Sequence, residues 1–506
     1  MLMNTIGGIM DYSKFTPNEL ERKRFNSIFV IEMMERVGFY AFNTIVVMYF
    51  IYQFHLTKSD SASLFGAFAA LLYVFIPIGG WVGDFFLGTK RTIILGGIFL
   101  LCGYVILSSS MNENMLFLGM GTIIIGNGLF KSNPASLLSK IFPKNDSGKR
   151  DSAYLMYHMA INVGSFSSGI FSPIIAHTFG WQWGFASACV GLIIGLINFM
   201  VGKKYFQGIS SAAGERGLNL WRYLSTIIVA IGLIFVCSWL LHHISVTQIL
   251  MFTIIGITFL IFFICGLRQE PGTRAKMISA LVLAMMAICF YTLHQQMSLS
   301  FTFFGMCNSA YNIFGIPVHP EQFQVVNSLT VLIFAPILSI FAKRAGIAGK
   351  NARITTKFTI GLFVSSLAFL VLVPAQYFGH NGIVSSNWIV SAYFIITFGE
   401  LFVSALGLSM MSQLVPEKFM GFAVGVWYLA LSMAGVTGSM VSNMTYPKGA
   451  QNLSPVQSLP IFCHAFEMIG IMTLGATVLM FVVKLILDKY IYEDSSIKKT
   501  HVAETL

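Results

Sequence analysis

The stretch FVIEMMERVGFYAFNTIVVMYF, residues 29–50, is long and apolar enough to cross a lipid bilayer, yet it carries three charged side chains. They are Glu32, Glu35 and Arg36. A charged side chain at the centre of a membrane helix costs about 2.5–3.5 kcal/mol on insertion scales. We therefore expect this face of the helix to contact protein or water rather than lipid.

Similar apolar runs recur along the whole sequence. Of its 506 residues 56% are hydrophobic and 10% are charged, whereas soluble domains carry about 25% charged residues. Runs of about 20 apolar residues, the length that spans the hydrocarbon core, occur about fourteen times. The sequence therefore predicts an all-α integral membrane protein. The charged segment before the first run does not have the pattern of a cleaved signal peptide, and we expect none.

The basic residues indicate an orientation in the membrane. With a cytoplasmic N-terminus, 27 of the 31 Lys and Arg residues fall in cytoplasmic loops or tails, Lys58 and Lys448 fall outside, and Arg36 and Lys131 lie within spans. This asymmetry follows the positive-inside rule and predicts that both termini are cytoplasmic. The net charge of +11 is spread over many loops, so we expect no binding to nucleic acid.

The predicted spans divide into two groups of six with a pair between them. We assign residues 1–210 to an N-terminal six-helix bundle, 211–272 to two inserted membrane helices, and 273–506 to a C-terminal six-helix bundle with a cytoplasmic tail. This is the arrangement of the major facilitator fold, in which substrate binds near the midplane at the interface of the two halves. The inserted pair has almost no ionisable residues, and we interpret it as a packing element.

Polar side chains on three spans are candidates for a site. The polar residues of the opening stretch recur at spacings of three and four, so they lie on one helical face. The fourth span carries Lys131 just before Pro134, where we expect a kink in the helix, and the twelfth carries Glu400. Ionisable residues inside a membrane are functional candidates by default. We expect Glu35 to pair with Arg36, and Lys131 to pair with Glu400 across a central cavity.

Five motifs and the two extra spans of the sequence resemble the proton-dependent oligopeptide transporter family. Glu32-Met-Met-Glu35-Arg36 matches its ExxER motif, and the two extra spans also agree with it. The other matching segments are GGWVGDFFLGTKRT (79–92), GNGLFKSNP (126–134), NVGSF (162–166) and FGELFVSALGLSMMSQLVPEKFMGFAVGVWYL (398–429). The resemblance covers nearly the whole chain and extends to the bacterial di- and tripeptide permeases. It implies a symporter that imports dipeptides and tripeptides with protons by alternating access.

The resemblance also implies site residues. It assigns peptide contacts to Arg36, Tyr40, Tyr73, Lys131, Asn162, Asn327, Glu400, Ser404 and Trp427, to which we add Asn43 and Gln295. We expect proton coupling to involve Glu32, Glu35, Arg36, Lys131 and Glu400.

A peptide presents two charged ends to these residues. Arg36 and Lys131 suit the carboxylate, while Glu400, with Asn162 and Asn327, suits the amine. A peptide carboxylate that draws Arg36 away would leave Glu35 easier to protonate, so peptide and proton would favour each other's binding.

The sequence departs from the family pattern at several positions. Phe39 and His158 stand where tyrosine is common, Asn43 where arginine is common, and Gln295 where glutamate is common. The last two positions form an extracellular salt bridge in the family, and a hydrogen bond between neutral groups would have to replace it here. We interpret His158, and also His294, as structural.

Other functions fit the residues less well. A major facilitator exporter or importer of another small zwitterionic metabolite or of a peptide-like drug would share the fold, and an inactive transporter fold that senses ligand is a further alternative. We expect no enzyme, because HExxH and GxSxG motifs are absent. The seven cysteines show no metal-ligand spacing, so we expect no metal and no cofactor. The expected partners are peptides, protons and membrane lipid, and we expect a monomer.

Overall fold

The computed structural model describes residues 15–110, 112–142, 147–209, 211–217, 219–313, 315–347, 353–404, 406–446, 453–489 and 491. Lys448 and the two chain ends, on which the predicted orientation partly depends, lie outside these residues. The described chain folds into two compact units, Met1–Tyr49 with Val74–His242, and Phe50–Tyr73 with His243–Leu506.

The helices α1 to α9 belong mainly to the first unit, although the last residues of α1 and the first part of α2 group with the second. Their bounds are α1 (Pro17–Phe54), α2 (Lys58–Trp81), α3 (Thr89–Ser108), α4 (Glu113–Lys131), α5 (Asn133–Ile141), α6 (Ser147–Phe179), α7 (Trp181–Gly202), α8 (Ala212–Glu215) and α9 (Leu220–His242).

The second unit contains the remaining helices and a two-residue antiparallel hairpin in which Asn312 pairs with Pro317. Their bounds are α10 (Ile244–Leu267), α11 (Pro271–His294), α12 (Ser300–Asn308), β1 (Asn312–Ile313), β2 (Ile316–Pro317), α13 (Val325–Ile347), α14 (Ile354–Leu370), α15 (Asn387–Val403), α16 (Gly407–Leu414), α17 (Met420–Thr445) and α18 (Pro455–Asp488).

The number of membrane-length helices confirms the predicted fold class. Thirteen helical segments of the described chain are long and apolar enough to span a membrane, and α15 is a shorter apolar helix. Together they account for the fourteen predicted spans. The helices begin before the apolar runs, and α1 already starts at Pro17. The charged residues ahead of Phe29 therefore extend the first membrane helix rather than forming a loop.

Two spans are broken next to their ionisable residues. The fourth span is interrupted at Ser132, between α4 and α5, and Pro134 lies in the first turn of α5. Proline is tolerated there because its missing N–H would have no partner within the helix. The twelfth span is interrupted between α15 and α16. Lys131 is the last residue of α4 and Glu400 lies in the last turn of α15. The predicted break before Pro134 is confirmed.

The inserted helices pack each within its own unit. In the first unit α9 packs against α4, and in the second unit α10 packs against α17 and α11. Large apolar side chains on their outer faces, such as Ile228 and Phe235 on α9, are more than 60% exposed. In a membrane protein such side chains face lipid. These contacts agree with the interpretation of the pair as a packing element.

Candidate functional site

A charged cluster lies at the centre of the first unit. Glu32 and Glu35 are fully buried, and Arg36 is only 4% exposed. Oε2 of Glu35 lies 2.5 Å from both Nε and Nη2 of Arg36. Oε1 of Glu32 lies 3.6 Å from Nε of the same guanidinium. The predicted Glu35–Arg36 pair is confirmed, and one arginine holds both carboxylates.

The fourth span completes this cluster. Nζ of Lys131 donates a hydrogen bond to Oε1 of Glu32 at 3.2 Å, and Nη2 of Arg36 donates to Oδ1 of Asn127 at 3.4 Å. Tyr157 of α6 lies beside the Glu32 carboxylate. Two carboxylates and two cations leave the cluster neutral overall, which offsets much of the cost of removing four charges from water.

The charged cluster contains carboxylate oxygen that can still accept a hydrogen bond. Within the described chain, Oε1 of Glu35 is buried and accepts no hydrogen bond. A buried carboxylate oxygen without a donor is costly, and protonation of the carboxyl group relieves part of that cost because the neutral form is less strongly hydrated. Glu35 therefore offers an oxygen that a proton can occupy while its other oxygen keeps Arg36.

A close helix contact fixes Arg36. A Cβ atom at Gly164 would lie 2.6 Å from the backbone oxygen of Met33 and 2.9 Å from Cβ of Arg36. Only glycine allows α6 to approach α1 this closely. Gly128 plays the same part beside Lys131, because a Cβ there would lie 2.6 Å from Cβ of Phe75. Glycines of the fourth span therefore serve helix packing.

Glu400 is the centre of a separate group in the second unit. Its Oε2 accepts a hydrogen bond from Nδ2 of Asn327 at 2.7 Å and lies 3.1 Å from Nε2 of His294. Asn327 also donates to Oγ1 of Thr397 at 3.0 Å, one turn before Glu400 on α15. Glu400 and His294 remain 20% and 25% exposed. The carboxylate is thus positioned by its neighbours and still reachable.

Aromatic side chains lie around Glu400. Tyr291 lies on α11, one turn before His294, and is close enough to Glu400, Tyr73 and Tyr428 to interact with them electrostatically. Its ring centroid is 6.2 Å from that of Trp427 in an edge-to-face arrangement. Aromatic rings with polar tips provide apolar surface for a side chain together with hydrogen-bonding groups. This group can hold a cation at Glu400 beside an apolar wall.

The remaining predicted residues have individual positions. Asn162 is buried and donates to the backbone oxygen of His158 on its own helix. Asn43 is half-buried and makes no hydrogen bond to another described residue. Gln295 is half-buried, and its Cβ packs beside Gly438. Tyr40 and Ser404 are also half-buried. The structure thus groups Glu32, Glu35, Arg36 and Lys131 in one unit and Glu400, Asn327, Tyr73 and Trp427 in the other.

Four neighbours of these groups were not among the predicted site residues. Asn127 precedes Lys131 by four residues on α4, so the helical period already places both on one face. Tyr291 and His294 are three residues apart on α11 and share a face for the same reason. Tyr157 belongs to a helix whose contact with Glu32 no sequence period indicates. His294, interpreted as structural, proves to be a direct neighbour of Glu400.

Comparison with known proteins gives one consistent result. A family model described as the POT family (PTR2) matches residues 90–454. Dipeptide and tripeptide permease A of Cronobacter turicensis is 39% identical over 485 residues, which cover 95% of this chain and 96% of the relative. Dipeptide and tripeptide permease A of Escherichia coli K12 is 37% identical over 484 residues, which cover 95% and 96%. These relatives are permeases rather than enzymes.

Solved structures agree with the sequence relatives. A bacterial homologue of the human drug peptide transporters PepT1 and PepT2 superposes with a TM-score of 0.83 at 30% identity, covering 93% of this chain and 99% of that one. PepTSo2, solved as a tetramer, superposes with a TM-score of 0.82 at 29% identity, with coverage of 93% and 99%. This similarity over both units supports the same fold for the present chain.

Proposed function

The chain belongs to the POT family of peptide transporters, and on that premise we propose that it imports dipeptides and tripeptides together with protons by alternating access. The observation that carries the proposal is the pair of charged groups, one in each unit. The first unit holds two carboxylates and two cations in one cluster, and the second positions Glu400 among hydrogen-bond donors and aromatic rings. A zwitterionic peptide has one charged end for each group.

The two groups suit the two ends of a peptide differently. We assign the peptide carboxylate to Arg36 and Lys131 and the peptide amine to Glu400 with Asn162 and Asn327. A planar guanidinium offers a carboxylate two parallel donors, and an ammonium group suits a carboxylate with exposed oxygen surface. The other proposed peptide contacts are Tyr40, Asn43, Tyr73, Gln295, Ser404 and Trp427. Recognition of the ends and backbone leaves the peptide's own side chains to apolar surroundings, so one protein serves many sequences.

The first cluster also suggests how a proton is coupled to the peptide. Arg36 holds Glu35 at 2.5 Å. A peptide carboxylate that engages Arg36 weakens this contact, and Glu35 then takes up a proton rather than remain a buried anion. Because coupling free energies are reciprocal, a proton on Glu35 strengthens peptide binding by the same factor. Lys131 has the equivalent role for Glu32. The protonation of Glu400 depends in turn on whether the peptide amine is bound to it.

The broken spans suggest where conformational change occurs. We propose residues 1–210 and 273–506 as the moving bundles, with 211–272 as the inserted pair. Lys131 and Glu400 each lie next to an interruption in their span, and interruptions of this kind absorb backbone rotation more readily than a continuous helix. A peptide that contacts both residues would thus act where the two bundles bend.

We place the protein in the bacterial inner membrane with both termini cytoplasmic. The relatives are bacterial permeases, and the Lys and Arg distribution follows the positive-inside rule. The proposed peptide and proton residues all belong to one chain, so we propose that the monomer transports.

The substrate assignment is tested by competition. We expect dialanine and trialanine to compete for uptake of labelled dialanine, and free alanine to compete at least about thirtyfold more weakly, because it has no peptide backbone to reach from Arg36 to Glu400. The loss of one charge-assisted contact of about 2–3 kcal/mol sets that factor. The measurement is inhibition of uptake in proteoliposomes, with N-acetyl-dialanine as the control that lacks the amine. Equal inhibition by alanine would contradict recognition of both ends.

A further inference from the structure

A basic pocket of about 150 Å³ lies at one end of the first unit, apart from the charged cluster. It is formed by the turn between α2 and α3 and by the segment that leads into α9. Its polar lining consists mainly of guanidinium groups, and its floor is apolar. The lining residues used below are Phe86, Leu87, Arg91, Arg216, Asn219 and Arg222.

Arg91 joins the two walls of this pocket. Its Nη1 donates to the backbone oxygen of Leu87 at 3.1 Å, and its Nη2 donates to the backbone oxygen of Arg216 at 3.3 Å. The first oxygen belongs to the α2–α3 turn and the second to the segment before α9. Arg91 therefore fixes the shape of the pocket, while its charge stays uncompensated because it binds neutral carbonyl groups.

Positive charge in the pocket has no acidic counterpart. Over the part of the chain that the structure describes, Arg91, Arg216 and Arg222 form no ion pair with an acidic side chain. The guanidinium of Arg222 instead lies 5.6 Å from the centre of the Phe86 ring. Three arginines without a carboxylate repel one another unless an anion joins them.

The start of α9 adds to this positive potential. The side chain of Asn219 accepts a hydrogen bond from the backbone N–H of Arg222 at 3.3 Å, so the first turn of a 23-residue helix forms one wall. Helix N-termini carry a partial positive charge and favour anions, phosphates above all. The helix end and the guanidinium groups thus favour the same ligand chemistry.

The position of the pocket indicates where the anion comes from. Three membrane spans end or begin at it, Lys58–Phe86, Thr89–Ser108 and Leu220–His242. Exposed aromatic side chains surround it, and Trp81 and Trp221 are 56% and 82% exposed. Tryptophan with one apolar and one polar edge is typical of the membrane–water interface. The pocket therefore lies at the level of lipid headgroups.

We propose that this pocket binds the phosphate headgroup of an anionic phospholipid in the cytoplasmic leaflet. Arg216 and Arg222 bind the phosphate, and Arg91 fixes the positions of the two walls. The apolar floor at Phe86 and Leu87 contacts the adjoining glycerol and acyl carbons. Basic pockets between membrane helices on the cytoplasmic side are known to recognise anionic headgroups in general. The site is independent of the transported substrate.

The test is a titration of the purified protein with short-chain phosphatidylglycerol, followed by native mass spectrometry. We expect preferential binding over phosphatidylcholine. In the variant Arg216→Gln/Arg222→Gln the apparent affinity for phosphatidylglycerol should fall about tenfold or more, since each basic residue near an anionic lipid contributes roughly fivefold. The control is Arg268→Gln/Arg274→Gln, which removes two exposed arginines near the turn between α10 and α11 and should bind like wild type.

Three results would overturn the proposal. They are equal affinity for the two lipids in wild type, an equal loss in the pocket variant and the control, and complete displacement of phosphatidylglycerol by millimolar inorganic phosphate, which would indicate a site for a soluble anion. Elution from a sizing column and the thermal midpoint in phosphatidylcholine check that both variants are folded. Neither readout depends on peptide transport.

Discussion

Replacement of Glu35 by glutamine is expected to abolish proton-driven accumulation of peptide and to preserve peptide exchange. Glutamine keeps a neutral hydrogen-bonding group in place of the protonated carboxyl and therefore mimics one state of the cycle. Exchange between equal pools on the two sides requires no net proton movement. Under an inward gradient of one pH unit, wild type should concentrate dialanine up to about tenfold for each proton cotransported, and Glu35→Gln should not exceed equilibration.

The measurement pairs two assays on the same proteoliposomes, counterflow exchange and gradient-driven uptake of labelled dialanine. Glu467→Gln is the matched control, because Glu467 is a half-exposed glutamate outside both charged groups. Normal accumulation by Glu35→Gln would mean that the essential proton site is Glu32 or Glu400 instead. Loss of both activities in a folded variant would instead assign Glu35 to the conformational switch.

Replacement of Lys131 by alanine is expected to reduce gradient-driven uptake at least about tenfold. It removes a ligand proposed for the peptide carboxylate and leaves the buried Glu32 without its 3.2 Å partner. Breaking a fully buried ion pair costs about 3–5 kcal/mol, and the cost here is lower because Lys131 keeps a quarter of its surface exposed. Some loss of stability should therefore accompany the loss of transport.

The double variant Glu32→Gln/Lys131→Ala separates these two effects. Removing the stranded carboxylate should restore the thermal midpoint but not uptake, if Lys131 binds peptide. Recovery of uptake together with stability would mean that Lys131 is only a counterion of Glu32. Lys149→Ala serves as control, since Lys149 is a 54% exposed lysine with a carboxylate 3.9 Å away. Uptake, exchange and thermal midpoint are measured for all three variants.

The fold could be predicted because hydrophobic length and charge distribution act locally. An apolar run of about 20 residues has few alternatives to a membrane helix, and all fourteen predicted runs are helical. Proline chemistry likewise predicted the break at the end of α4. The start of α1 at Pro17 could not be predicted from hydropathy, because the polar residues before Phe29 are good helix formers that extend the span into water.

The candidate site was predictable where its residues share one helix. Glu32 and Arg36 are four residues apart, so the helical period brings them together, and Glu35 is the sequence neighbour of Arg36. Contacts between helices depend on how the helices pack, and no periodic pattern in a single sequence indicates them. The Glu32–Lys131 contact and the His294–Glu400 contact are both of this kind. Two contacts stay predictions. They are the ion pair of Lys131 with Glu400, and the hydrogen bond between Asn43 and Gln295 that would replace the family's extracellular salt bridge.

Proton-coupled peptide import is tested most directly by the wild-type arm of the uptake experiment. Labelled dialanine is offered to proteoliposomes with and without an inward proton gradient, with the membrane potential clamped. We predict accumulation above the external concentration only with the gradient, and its collapse when a protonophore is added. The contrary result is equilibration of dialanine to the external concentration in both conditions, in vesicles that hold the gradient. That result would contradict proton-coupled import.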